Sequence, residues 1–236
     1  MNNTIAIMQP YIFPYLGYFC LIDASDVFVF YDDVNFIQKG WINRNQILVD
    51  GAPYRFTVPL SNSSQNQLIC DVKTNSFAYF KKKFCRQIEL AYKSAPFYNN
   101  GMMYLQEVFN TEHAFIADFA ISSITNFYKL IGIDKTFLRS SQSFSDSKGF
   151  EKADRLIKIT KQLRSDRYIN ALGGTTIYDK LYFLDKGIHL SFVKPRLLEY
   201  QQVKSNNFSS GLSIIDVVMH NRLDDVLRMI KSYELV

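Results

Sequence analysis

The sequence predicts an α/β fold with a mainly parallel sheet. Three observations carry the prediction. Two short, wholly apolar runs, Ile5-Ala6-Ile7-Met8 and Val27-Phe28-Val29-Phe30-Tyr31, lack the alternation of a half-exposed strand and read as strands buried on both faces. The stretch between them, Tyr15 to Ala24, follows Pro14, contains no proline and has the length and apolar density of a short helix. With 47% apolar and 21% charged residues in 236, the chain can build a large core, which excludes a disordered or collagenous polypeptide.

The first unit is therefore βαβ. A right-handed crossover makes its strands parallel and puts Gln9-Pro10 and Asp32-Asp33, which end them, at one edge of the sheet. Open sheets of this Rossmann-like kind bind ligands at that edge. Ile47-Leu48-Val49, the turn Asp50-Gly51-Ala52-Pro53 and the alternating Tyr54 to Pro59 form a hairpin, expected to extend the sheet. Phe77, Phe80, Phe84, Ile88 and Ala91 then fall on one helical face, with Lys81, Lys82, Lys83 and Arg86 on the solvated side. Further helical stretches from Asn99 to Phe109 and Glu112 to Ile131 complete a helical insertion at about 76–132 within a single α/β domain, 1–236.

The α/β pattern resumes at Lys135-Thr136-Phe137-Leu138, followed by a polar loop and a helix around Glu151 to Leu163. A strand, Arg167 to Ala171, runs into Leu172-Gly173-Gly174-Thr175-Thr176, where a helix is expected to open at about Thr175. Ile188 to Val193 reads as another strand, and two short helices, Ser213 to His220 and Asp224 to Tyr233, close the fold. Both ends of the sequence contribute to the sheet.

Composition narrows function. A formal charge of +5 suits a phosphate or an anionic sugar but is too small for a dedicated nucleic-acid binder. No cationic segment precedes the first apolar run, so no signal peptide is expected. The richest apolar stretch, Tyr11 to Ile22, is broken by Pro14 and Gly17 and falls short of the roughly 18 residues of a membrane span. Cys20, Cys70 and Cys85 match no zinc module and fit unpaired thiols, so the protein is expected in the cytoplasm, without a metal.

Chemistry concentrates in Asp32-Asp33-Val34-Asn35-Phe36-Ile37-Gln38-Lys39-Gly40-Trp41-Ile42-Asn43-Arg44-Asn45. Paired acids can hold a cation or move a proton, Lys39 and Arg44 can bind phosphate, and Trp41 can stack on a ring. The plain alternative is a capped turn and a surface loop. Nucleotidylyltransferases of the HIGH superfamily carry His-x-Gly-His after the first strand; Tyr15-Leu16-Gly17-Tyr18 resembles that motif with Tyr for both His, or else Tyr15 and Tyr18 simply pack the helix. The Gly173-Gly174 turn with Thr175 offers backbone N–H groups to an anion or is merely tight, and Asn170 lies just before it. Ser213 and Asp216 are placed to cap a helix. His113, His189 and His220 fall in no triad or metal spacing.

Met8 to Phe19, Asp26 to Phe36, Lys39 to Asn45 and Leu212-Ser213-Ile214-Ile215-Asp216, with Thr57-Val58-Pro59, Tyr92 to Tyr98, Asp154-Arg155-Leu156 and Tyr200-Gln201, resemble the WbqC-like family from the first strand to the last helices. Many members open the first motif with His-Gln-Pro; here Met8 precedes Gln9, which argues against a catalytic histidine there. The family occurs in bacterial O-antigen and other surface-polysaccharide clusters, and some members have been suggested to be glycine transferases. The resemblance implies acyl or aminoacyl transfer to a nucleotide- or lipid-linked sugar. Asp32 or Asp33 would be the base; Lys39 and Arg44 would hold phosphate; Trp41, Asn43 and Asn45 would position the sugar. Gln9, Tyr11, Asn35, Asn170, Ser213 and the two Gly turns, that of Tyr15, Gly17 and Tyr18 and that of Gly173, Gly174 and Thr175, would complete the binding surface. A HIGH-like nucleotidylyltransferase or ATP-dependent ligase, and a sugar-nucleotide-binding protein without turnover, are the alternatives. Donor, acceptor, cofactor and oligomeric state stay open.

Overall fold

The computed structural model describes residues 3–150 and 152–236. Met1 and Asn2, at the start of the N-terminal reading, and Glu151, the expected first residue of a helix, lie outside them. Strand β1 (Thr4–Met8), helix α1 (Leu16–Asp23) and β2 (Val27–Phe30) form the expected unit, with Ile5 beside Val27 and Met8 beside Phe30 in a parallel ladder. Strands β3 (Arg44–Val49) and β4 (Ala52–Thr57) make the hairpin, but as a two-stranded sheet of its own rather than an extension. Ile47, Leu48 and Phe56 bury their side chains in the helical core, which fixes the hairpin by packing instead of by ladder bonds.

Helices α2 (Phe77–Tyr92), α3 (Tyr98–Phe109) and α4 (Ile116–Leu130) follow. The predicted α2 stripe is the buried one, and Lys81, Lys82, Lys83 and Arg86 are exposed. Next come β5 (Thr136–Arg139), the one-turn helix α5 (Ser140–Ser143) inside the predicted polar loop, and α6 (Lys152–Gln162). Strand β6 (Arg167–Ala171) ends where expected, but no α-helix opens at Thr175. Leu172–Thr176 is a 3₁₀ turn, and α7 (Lys180–Asp185) starts later, where Asp179 caps it by accepting from the Leu181 N–H at 2.8 Å. The chain closes with β7 (His189–Pro195), α8 (Ile214–His220), α9 (Leu223–Ile230) and β8 (Tyr233–Leu235); β8 occupies the end of the stretch expected to be helical.

The main sheet runs β5-β2-β1-β6-β7-β8, parallel except for β8. Alternate residues feed two cores. Ala6, Phe28 and Phe30 face α1, α4, α8 and α9, whereas Ile5, Ile7, Val27 and Val29 face α6 and α7. This arrangement has a functional corollary. From β1 the chain crosses to β2 over one face, and from β6 it crosses to β7 over the other, so the connections diverge between the carboxyl ends of β1 and β6. Such a switch point leaves an open crevice.

Candidate functional site

A cavity of about 500 Å³ occupies the switch point, within the range of small-molecule sites. Gln9 follows β1, Tyr31 follows β2, and Asn170 and Ala171 end β6. Gly173 and Gly174 of the 3₁₀ turn form a wall, and Leu156 of α6 reaches it from behind. Tyr11, Tyr15, Tyr18, Tyr178 and Trp41 complete an aromatic lining. Trp41 is 43% exposed, so its indole offers a free face. Among the described residues no Asp, Glu, His, Lys or Arg belongs to the lining. Burial raises the phenols of Tyr11, Tyr15, Tyr18 and Tyr178 above their ordinary value, so they meet a ligand as neutral hydroxyls.

The loop that presents these rings is bent at Phe13, whose φ of +43° lies in the left-handed region that L-residues rarely adopt. Its backbone is held on every side. The Phe13 N–H donates to Ser123 Oγ at 3.0 Å, and its carbonyl accepts from Asn45 Nδ2 at 2.7 Å and from Ser213 Oγ at 2.8 Å. The ring is clamped among Phe84, Tyr104 and Phe119 at 5.8–6.0 Å. Tyr11 and Tyr15, on either side of the bend, thereby line the same cavity. Gly17 contributes by absence: a Cβ there would lie 2.4 Å from the Tyr15 ring, which folds over the start of α1. Tyr18 is buried and donates its hydroxyl to the Gln9 carbonyl at 2.8 Å.

Of the residues singled out from sequence, Gln9, Tyr11, Tyr15, Gly17, Tyr18, Trp41, Asn170, Gly173 and Gly174 thus meet in the crevice. Asn45 lines an adjoining recess of about 340 Å³ that shares Tyr11, Tyr15 and Trp41. Thr175 lines another, of about 630 Å³, joined through Ile177 and Tyr178. Ser213 caps α8 while holding Phe13. Asn43 donates to the Val58 carbonyl at 3.0 Å and Arg44 Nε to the Gly40 carbonyl at 2.9 Å. Asn35 and Lys39 sit on exposed loop positions outside the cavity.

Asp32 and Asp33 are buried rather than part of a solvated loop. Asp32 Oδ2 receives Arg139 Nε and Nη2 at 2.7 Å and Ser141 Oγ at 2.8 Å, and Oδ1 receives the Ser141 N–H at 3.0 Å. Arg139 also pairs with Asp118 at 2.6 Å. Asp33 Oδ2 pairs with Arg155 Nη2 at 2.6 Å, and its other oxygen accepts from Ser140 Oγ. Every oxygen of the two carboxylates therefore accepts from at least one fixed donor. Arg139, Arg155, Tyr31 and Tyr178 were not singled out as site residues. The available signal for one of them was the Asp154-Arg155-Leu156 segment, which carries Arg155.

Among the described residues no three of His, Cys, Asp and Glu are grouped to hold a metal ion, and no helix is long and apolar enough to cross a membrane. The family model described as WbqC-like protein family matches residues 9–227. The chain is 24% identical over 221 residues to the Uncharacterized protein Rv1507c of Mycobacterium tuberculosis (strain ATCC 25618 / H37Rv), covering 92% of this chain and 94% of that protein. No solved structure matches it.

Proposed function

The chain belongs to the WbqC-like protein family, and from that premise we propose that it binds a nucleotide-linked or lipid-linked sugar in the crevice between β1 and β6 and transfers an acyl or aminoacyl group to it, in the assembly of a bacterial surface polysaccharide. The observation that carries the reading is the lining: an indole, five phenols and two carboxamides at a switch point, without a formal charge. Aromatic faces stack on sugar rings and bases, and amides and phenols hydrogen-bond hydroxyls in both directions. The Trp41 and Tyr11 rings would hold the ligand's apolar faces, while Gln9 and Asn170 would orient its hydroxyls. An uncharged lining also favours an acceptor amine in its neutral, nucleophilic form, because no carboxylate compensates the desolvation of an ammonium.

Among the described residues no lining cation would take a triphosphate, so the crevice itself fits the sugar moiety, and the phosphates of a linked sugar, like those of ATP, would lie outside it; nucleotidylyl transfer, whose reaction centre is the phosphate, finds less support. Binding without turnover is the second reading, favoured by the engagement of Asp32 and Asp33 in ion pairs. Calorimetric titration with a nucleotide-sugar, the free nucleotide and a lipid-linked sugar, followed by product analysis with acyl and aminoacyl donors, decides among them. A sugar-bearing ligand should bind, about tenfold more weakly to Trp41→Ala or Gln9→Ala, as the loss of one stacking or polar contact worth ~1.4 kcal/mol requires, and a group should be transferred. Binding with no product from any donor leaves the second reading; no binding by any sugar-bearing ligand defeats both.

A further inference from the structure

Five tyrosines reach the crevice, and one has surroundings unlike the rest. Tyr31 sits at the mouth of β2, its N–H fixed to the Met8 carbonyl at 2.8 Å. The guanidinium of Arg155, on α6, lies 4.8 Å from the centre of its ring. Arg155 is buried and immobilised: Nη2 pairs with Asp33 at 2.6 Å, Nε donates to Ser147 Oγ at 3.1 Å and Nη1 to the Asp33 carbonyl at 3.4 Å. A planar cation locked in this way cannot swing to solvent, so its field on the ring is permanent.

The charged and titratable groups that face Tyr31 are Arg155 from α6, Asp33 from its own loop, Tyr178 beyond the 3₁₀ turn and Tyr168 from β6. Burial raises its phenol above the ordinary value; Arg155 acts in the opposite direction, and Asp33 and Tyr178 add to the rise. For Tyr11, Tyr15, Tyr18 and Tyr178 every influence raises. The hydroxyl of Tyr18 is moreover committed to Gln9.

Building on the transfer reading above, we infer that Tyr31 is the catalytic residue that exchanges a proton with the bound ligand, and that Arg155, held by Asp33, is its positioning residue. In the transfer, the acceptor's lone pair forms a bond to the donor's carbonyl carbon and the bond from that carbon to the leaving group breaks. Tyr31 Oη gives its proton to the leaving group and takes the acceptor's proton in return, so the phenol ends as it began. While Oη carries negative charge, the Arg155 cation lowers its cost. Asp33 then serves the chemistry through Arg155 rather than by touching the ligand.

The test combines turnover with NMR of protein labelled with carbon-13 at tyrosine Cζ, which follows each phenol through its ionisation. Tyr31→Phe, which keeps the ring, should bind nucleotide-sugar within about twofold of the wild type and lose transfer by about a hundredfold or more, the usual yield of one acid–base group. The resonance that disappears in Tyr31→Phe should ionise at lower pH than those of Tyr11, Tyr15 and Tyr178, and Arg155→Lys, which keeps the charge but loses the planar stack, should move it upward. Equal transfer by Tyr31→Phe and wild type overturns the inference alone. A Tyr31 signal that ionises last, or is indifferent to Arg155→Lys, overturns the positioning role. A wild type that binds sugar but transfers nothing overturns the transfer reading, and this inference with it.

Discussion

Asp33 occupies a loop position in the sequence and a core position in the fold, and the energies of the two differ severalfold. An exposed loop charge contributes within about 0.5 kcal/mol. Removing one partner of a buried pair leaves the other uncompensated and costs about 3–5 kcal/mol. The 2.6 Å contact to a buried Arg155 puts Asp33 in the second class. Asp33→Ala should therefore lower the urea midpoint by the equivalent of several kcal/mol, while Lys39→Ala, exposed and outside the cavity, should leave it unchanged. Equal midpoints for both variants would show that Arg155 finds another partner or water.

At the scale of elements, the junction between the Phe13 bend and α1 decides what the crevice presents. Gly17→Ala places a methyl where the Tyr15 ring lies. Because the obstacle is the far end of a side chain and not backbone, the ring can swing away. We expect sugar affinity to fall several-fold with a change in melting temperature of no more than a few degrees, read by calorimetry and circular dichroism on the same sample; unaltered affinity would mean that the Tyr15 ring takes no part in binding. The elements around this junction were legible because buried parallel strands are uninterrupted apolar runs and α1 follows a proline. Of the aromatic half, Tyr11, Tyr15, Tyr18 and Trp41 were legible, in the segments that follow β1 and β2, whereas Tyr31, which reads as the last residue of an apolar run, and Tyr178 were not. The charged half was not: Arg139 and Arg155 reach Asp32 and Asp33 only because β5 and α6 pack beside β2, a juxtaposition no local pattern announces. The late start of α7 had a local signal in Asp179, outweighed by the glycine pair. Tyr233-Glu234-Leu235 is too short to show a strand period.

For the whole molecule, the aromatic load of 15% has a consequence at high pH. Burial holds the phenols of Tyr18, Tyr92, Tyr104 and Tyr168 well above their ordinary value, and the Cys20 thiol at about 12. A tyrosine titrates near pH 10 when unfolded, so above that pH the unfolded chain releases protons that the folded chain keeps. This stability is fully present below about pH 8.5, begins to fall as the unfolded Cys20 thiol loses its proton, and falls more steeply above about pH 10, where the unfolded phenols follow. Denaturant midpoints measured from about pH 8 to pH 11 should be flat and then fall; a midpoint level to the top of that range would mean the phenols ionise without leaving the core. The strand order β5-β2-β1-β6-β7 carries a different consequence. Thr4 has Arg167 as its neighbour, and the crevice has one wall from each. On the ribosome, β1 and β2 emerge long before β6 exists, leaving the central strand with one edge unpaired through most of synthesis. Pairing across so long a loop is slow to close, so the crevice is among the last features of the chain to come into being.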